Sequence, residues 1–119
     1  MYSDRLLDHF QNPRNVGDLN PPGVTVEVTN PACGDILRLS ARVTDKHIEA
    51  VAYKVRGCTA SIAAGSALTI LMEGKSLSEL ALLKPAAVED AVGGLPPESK
   101  HAATLCVDAL KALFRAIGQ

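Results

Sequence analysis

Apolar and polar positions along the chain follow two different periods. Near the N-terminus, Leu6, Leu7 and Phe10 recur at the three- and four-residue spacing of one helix face. Ser3 stands where an N-cap is needed, so Ser3 to Gln11 is predicted as a short amphipathic helix. Asn12-Pro13-Arg14-Asn15 ends it, because the residue before a proline avoids helical backbone. A loop rich in Pro, Gly and Asn runs from Gly17 to Gly23. The period then falls to two. Val24-Thr25-Val26-Glu27-Val28 alternates as a half-buried strand does, and Ile36 to Val43 and Ile48 to Val55 read as further strands around a Thr44-Asp45-Lys46 hairpin turn. Three consecutive strands with short links predict an antiparallel meander.

The pattern changes at Arg56-Gly57-Cys58. Thr59 to Met72 is apolar nearly all round, which predicts a helix buried on most sides, and Gly74 ends it. Ser76-Leu77-Ser78-Glu79 has the spacing of a capping box and opens a short helix through Leu83. Pro85 starts another short helix, stopped by Gly93-Gly94. The last helix is expected to begin at Pro96-Pro97-Glu98 and to run to about Ile117. Ala102, Leu105, Cys106, Ala109, Leu110, Leu113 and Ile117 fall on its apolar face, with His101 at that face's edge in the first turn. The fold class is α+β, a three-stranded antiparallel sheet packed against several helices. No internal repeat or linker divides the 119 residues, so one domain spanning 1–119 is expected.

Composition narrows the function. Aromatics make up 3% of the chain and there is no Trp, so Leu, Val, Ile and Ala must build the core. A formal net charge of −1 with dispersed Arg and Lys argues against a nucleic-acid face. No stretch approaches the roughly 18 apolar residues of a membrane helix. Met1-Tyr2-Ser3-Asp4-Arg5 lacks the apolar run of a signal peptide, so a cytoplasmic protein with no membrane partner is expected. Three cysteines, an odd number, suggest thiol or metal chemistry over a disulfide framework.

Four residues carry that chemistry. Cys33 lies in Asn30-Pro31-Ala32-Cys33-Gly34-Asp35, a turn rather than a core strand, with the Asp35 carboxylate two residues away. Cys58 follows Gly57 at the start of the buried helix, where free N–H groups and the helix dipole stabilise a thiolate. His101 opens the last helix, and a neutral imidazole is a common metal ligand. Each has a plainer reading when taken alone: a core thiol, a turn aspartate, a surface histidine. Together they form a set suited to tetrahedral Zn²⁺ or to a cluster with mixed ligands. Cys106 falls in the middle of the apolar face and reads as a buried structural cysteine. His9 is assigned to the first helix and His47 to the hairpin turn, without metal-binding context.

With these motifs in view, the sequence resembles the IscU/NifU-type iron–sulfur cluster scaffold proteins over nearly its whole length. The matching segments are Tyr2 with Asp8-His9-Phe10-Gln11-Asn12-Pro13-Arg14-Asn15-Val16-Gly17, then Asn30 to Asp35, then Val55-Arg56-Gly57-Cys58-Thr59-Ala60-Ser61, and finally Leu95-Pro96-Pro97 through His101, with Leu105 and Asp108-Ala109-Leu110. The resemblance implies a SufE/NifU-like fold forming one NifU-like N-terminal scaffold domain. It implies transient binding of a [2Fe–2S] cluster by Cys33, Asp35, Cys58 and His101, with Zn²⁺ at the same place in a resting form. Implied partners are a cysteine desulfurase supplying persulfide sulfur, a donor of iron and electrons, and recipient apo-proteins. The protein would act by ligand exchange rather than as an enzyme.

Two positions depart from that family. Its usual third cysteine, directly after the histidine, is Ala102 here, which bears on sulfur acceptance and on cluster assembly. Where chaperone-dependent members carry Leu-Pro-Pro-Val-Lys, this chain has Leu95-Pro96-Pro97-Glu98-Ser99, which leaves recognition by an Hsp70-type chaperone open. Two rival readings follow: a zinc-binding structural or regulatory protein on the same fold, and a persulfide acceptor working through Cys58 or Cys33.

Overall fold

The computed structural model describes residues 2–118, so the two ends of the expected 1–119 domain, Met1 and Gln119, lie outside the described residues. Strands β1 (Val24–Thr29), β2 (Ile36–Thr44) and β3 (His47–Arg56) form an antiparallel sheet in the order β1-β2-β3, the expected meander. The β2–β3 register slips between Arg42 and Val43. His47 pairs with Thr44 as the first residue of β3, so the tight turn holds only Asp45 and Lys46. Both adopt positive φ, and His47 lies outside the turn to which the sequence reading assigned it.

Helix α1 (Asp4–Gln11) begins as the sequence predicts, with the Ser3 side chain accepting the Leu6 N–H. Only Leu6 of its apolar trio is fully buried, while Leu7 and Phe10 remain 37% exposed. Polar tethers do the rest. Ser66 of α2 (Thr59–Met72) is buried; its hydroxyl lies 2.7 Å from Nδ1 of His9 and accepts the Arg14 N–H at 2.9 Å. Gly65 lets α2 approach β3: a Cβ there would stand 2.6 Å from the Tyr53 ring.

Helix α3 (Leu77–Leu80) opens with the predicted capping box between Ser76 and Glu79 but stops at Leu80, three residues before the expected end. Helix α4 (Pro85–Ala91) follows. The last helix starts later than predicted. Pro97–Ser99 closes a 3-10 turn, with the Ser99 N–H donating to the Pro96 carbonyl, and α5 (His101–Ala116) begins only at His101. Its expected face is buried from Ala102 to Leu113, with Ile117 packed at the edge. Helix α5 packs on β1 and β2, α2 packs on β3, α1 lies on α2, and α4 contacts both α2 and α5.

The outer side of β3 is covered by the chain itself. Tyr53 exchanges backbone hydrogen bonds with Asn15 and Gly17, and Ile48 with Gly74 and Lys75. The β3–α2 junction also fixes the start of β2. Asp35 packs so closely on Gly57 that a Cβ at Gly57 would stand 2.5 Å from the Asp35 Cγ.

Two consequences can be measured. Gly57→Ala should destabilise the fold by about 1–3 kcal/mol, the usual cost of forcing an extra methyl into a packed contact. Denaturant unfolding would show it. The second concerns His9. Burial and the Arg14 guanidinium hold its imidazole below the usual histidine range, against a smaller pull from Asp8. Between that lowered pKa and the ordinary one, the unfolded chain binds more protons than the folded chain. Stability should therefore fall as pH drops from about 7 towards 5, and His9→Gln should flatten this slope.

Candidate metal centre

Three chain segments meet at one end of the sheet. The first is the β1–β2 loop, closed on itself by local hydrogen bonds. The Asn30 N–H donates to the Asp35 carbonyl and the Gly34 N–H to the Asn30 carbonyl, each at 2.8 Å. The Asn30 side chain accepts the Ala32 N–H at 2.8 Å, and Gly34 takes φ +77°, where a Cβ would be strained. This turn leaves Cys33 exposed at the tip and draws Asp35 inward until it is 6% exposed.

The second segment is the N-terminus of α2. Cys58 is the N-cap residue, with extended backbone and no side-chain cap of its own. The carboxylate arriving from the first loop serves instead: Oδ2 of Asp35 accepts the Cys58 N–H at 3.3 Å and the Ser61 O–H at 2.7 Å. A negative charge at this helix end is favoured by the unpaired N–H groups and the helix dipole. The third segment is the start of α5. An ion pair of Lys100 with Glu89 at 2.6 Å ties it to α4, and His101 is the first helical residue.

Nε2 of His101 lies 3.5 Å from Oδ2 of Asp35 and 3.6 Å from Sγ of Cys58. One ligand atom each from Cys33, Asp35 and His101 lies within 4.8 Å of the others. Cys58 stands outside that mutually close trio and adjoins it through His101. Burial alone would raise the Asp35 pKa. Hydrogen bonds from Ser61, from the thiol and backbone of Cys58 and from Cys33 outweigh it and hold the carboxyl below the usual range. The group is therefore an acceptor-only carboxylate at neutral pH.

This donor set suits a thiophilic ion. A tetrahedral centre with metal–sulfur bonds near 2.3 Å and metal–nitrogen or –oxygen bonds near 2.1 Å separates its ligand atoms by about 3.3–3.8 Å. The two His101 separations already lie in that range, and the Cys33 sulfur lies within 4.8 Å of the Asp35 and His101 ligand atoms. The other candidates are elsewhere. Cys106 is 1% exposed among the core side chains of α5, and burial pushes its thiol up to about 12. Ala102, at the position of the missing third cysteine, is also fully buried. His9 is bound to Ser66, and the His47 ring contacts the Asp45 carbonyl.

Sequence reasoning did not single out Ser61. Its signal was its place three residues after Cys58, at the third helical position, from which a side chain reaches back towards the helix N-terminus. Gly57, with no Cβ, leaves room for another group to approach closely. What approaches is Asp35.

Comparison with known proteins agrees with this architecture. The model of the NifU-like N-terminal domain matches residues 1–118. The chain is 41% identical over 111 residues to iron-sulfur cluster assembly scaffold protein IscU 1 of Archaeoglobus fulgidus, covering 93% of this chain and 72% of that protein. It is 40% identical over 118 residues to the scaffold protein IscU of Azotobacter vinelandii, covering 96% and 91%. Its fold matches the crystal structure of the N-terminal part of a NifU-like protein from Brucella abortus with a TM-score of 0.78 at 21% identity, covering 97% of this chain and 92% of that one. Among the described residues, no helix is long and apolar enough to cross a membrane. With a family match over almost its full length and relatives at this level of identity, the chain belongs to the NifU-like N-terminal domain family.

Proposed function

We propose that this protein is a scaffold on which a [2Fe–2S] cluster is built and from which it passes to recipient apo-proteins. Its ligands would be Cys33, Asp35, Cys58 and His101. The observation that carries this reading is the convergence of Cys33, Asp35 and His101 within 4.8 Å, with the Cys58 sulfur adjoining, from one loop and two helix starts. Relatives at about 40% identity carry the name of cluster assembly scaffold, which supports the same conclusion.

The cluster is cargo. The two thiolates are the soft ligands that retain iron, while the carboxylate and imidazole are the ones that let it go. The protein exchanges ligands and turns nothing over, so it is not an enzyme. A cysteine desulfurase would supply sulfur, and a separate donor would supply iron and electrons. The exposed Cys33 is the thiol that a desulfurase can reach first. Four donors also suffice for one tetrahedral Zn²⁺. The 3.5 and 3.6 Å separations around His101 favour zinc as a resting occupant.

Anaerobic reconstitution with iron and sulfide is expected to give the wild type visible charge-transfer absorption. Asp35→Ala should retain the cluster and deliver it more slowly to an apo-ferredoxin. A wild type that binds Zn²⁺ tightly but stays colourless would replace the scaffold reading with the zinc one. Cys106→Ala should leave metal stoichiometry, measured by atomic absorption, unchanged, because that thiol is sealed in the core.

A further inference from the structure

We infer that Ser61 is the resting partner of Asp35, a positioning hydroxyl that holds the carboxylate while the site is empty and takes it back as metal leaves. This rests on the reading of Cys33, Asp35, Cys58 and His101 as ligands, and it names what makes one of them exchangeable.

The two oxygens of Asp35 have different surroundings. Oδ1 is turned onto Gly57, where an added Cβ would stand 2.7 Å from it. Oδ2 faces the other candidate ligands, 3.5 Å from Nε2 of His101. That same oxygen already accepts the Ser61 O–H at 2.7 Å and the Cys58 N–H at 3.3 Å. An incoming cation and the Ser61 hydroxyl therefore compete for one oxygen. The other oxygen cannot readily take over, because Gly57 leaves it no room to turn.

Ser61 is 1% exposed, so water cannot replace it as the donor. Its oxygen lies 3.4 Å from Sγ of Cys58, close enough to accept the thiol hydrogen. Ser61 thus touches two ligands and has one hydrogen to give. In the empty site that hydrogen goes to the carboxylate, at 2.7 Å. A cation that takes Oδ2 displaces the Ser61 O–H, and departure of the metal lets the hydrogen bond to Asp35 re-form. No covalent bond changes.

Co²⁺ alone is the probe, titrated anaerobically into reduced wild type, Ser61→Ala, Asp35→Ala and the double variant. Sulfur-to-cobalt and d–d absorption report the ligand set, and challenge with a chelator gives the dissociation rate. Removing a charge-assisted hydrogen bond from the empty state alone should tighten Co²⁺ binding roughly ten-fold in Ser61→Ala. Release should slow to match, with the wild-type spectrum retained. In the Asp35→Ala background the Ser61 substitution should have no effect on affinity, which a merely structural role for Ser61 would not produce. Equal affinity in wild type and Ser61→Ala overturns the inference. So does weaker binding in Ser61→Ala, which would make the hydroxyl a support of the bound form, or equal tightening without Asp35. A wild type that takes up no Co²⁺ sinks the ligand assignment and this inference with it. A wild type that binds Co²⁺ with Ser61→Ala indistinguishable sinks the inference alone.

Discussion

A carboxylate withdrawn from water has to find its partners inside the protein. Asp35 finds them on the element that follows its own hairpin: the backbone N–H of Cys58 and the hydroxyl of Ser61, with Gly57 as the floor beneath it. One side chain thereby fastens the β1–β2 loop to the start of α2. The loop that carries Cys33 is brought to the helix end that carries Cys58 as a by-product, since Cys33 precedes Asp35 by two residues and Cys58 provides the N–H that Asp35 accepts. The centre is held together by an acid–helix contact made by protein groups alone.

The surrounding fold is arranged to keep this contact firm and its neighbours movable. The sheet and the buried faces of α2 and α5 form the rigid part. The candidate ligands sit at a loop tip, a helix cap and a first helical residue, where local opening costs less than in a strand interior. Exposure is graded to match: Cys33 is open to solvent, Cys58 and His101 are half-buried, and Asp35 is inside. The Cys33 thiol faces outward, and the Asp35 carboxylate stays near its hydrogen-bond donors.

What could be read from the sequence was what local rules decide. The alternation of Val24 to Val28, the all-apolar run from Thr59, the Ser76 capping box and the placing of Cys58 at a helix start all depend on neighbours within a few residues. The 3-10 turn at Pro97 and the early end of α3 were missed, because helix-compatible residues there are diverted by i to i+3 hydrogen bonds that leave no composition signal. The contacts that matter most at the centre are long-range. Ser61 reaches Asp35 across 26 positions, and His101 reaches Cys58 across 43. No periodicity encodes such pairings. Local context suggested Cys33, Asp35, Cys58 and His101 as a set and resemblance to a family implied the same four, but neither could indicate the serine that links two of them.

The covering of β3 by Asn15–Gly17 and by Gly74–Lys75 has a consequence for assembly. A sheet can be lengthened only from an edge with backbone groups to offer. On one flank of this sheet those groups are engaged near both ends of the strand. Among the described residues, β1 is the other border strand, with the Thr25, Glu27 and Thr29 side chains exposed along it. Any second chain that adds a strand to this protein, including another copy of itself, therefore has one direction of approach. Growth from that side alone pairs β1 with β1 and ends at two copies.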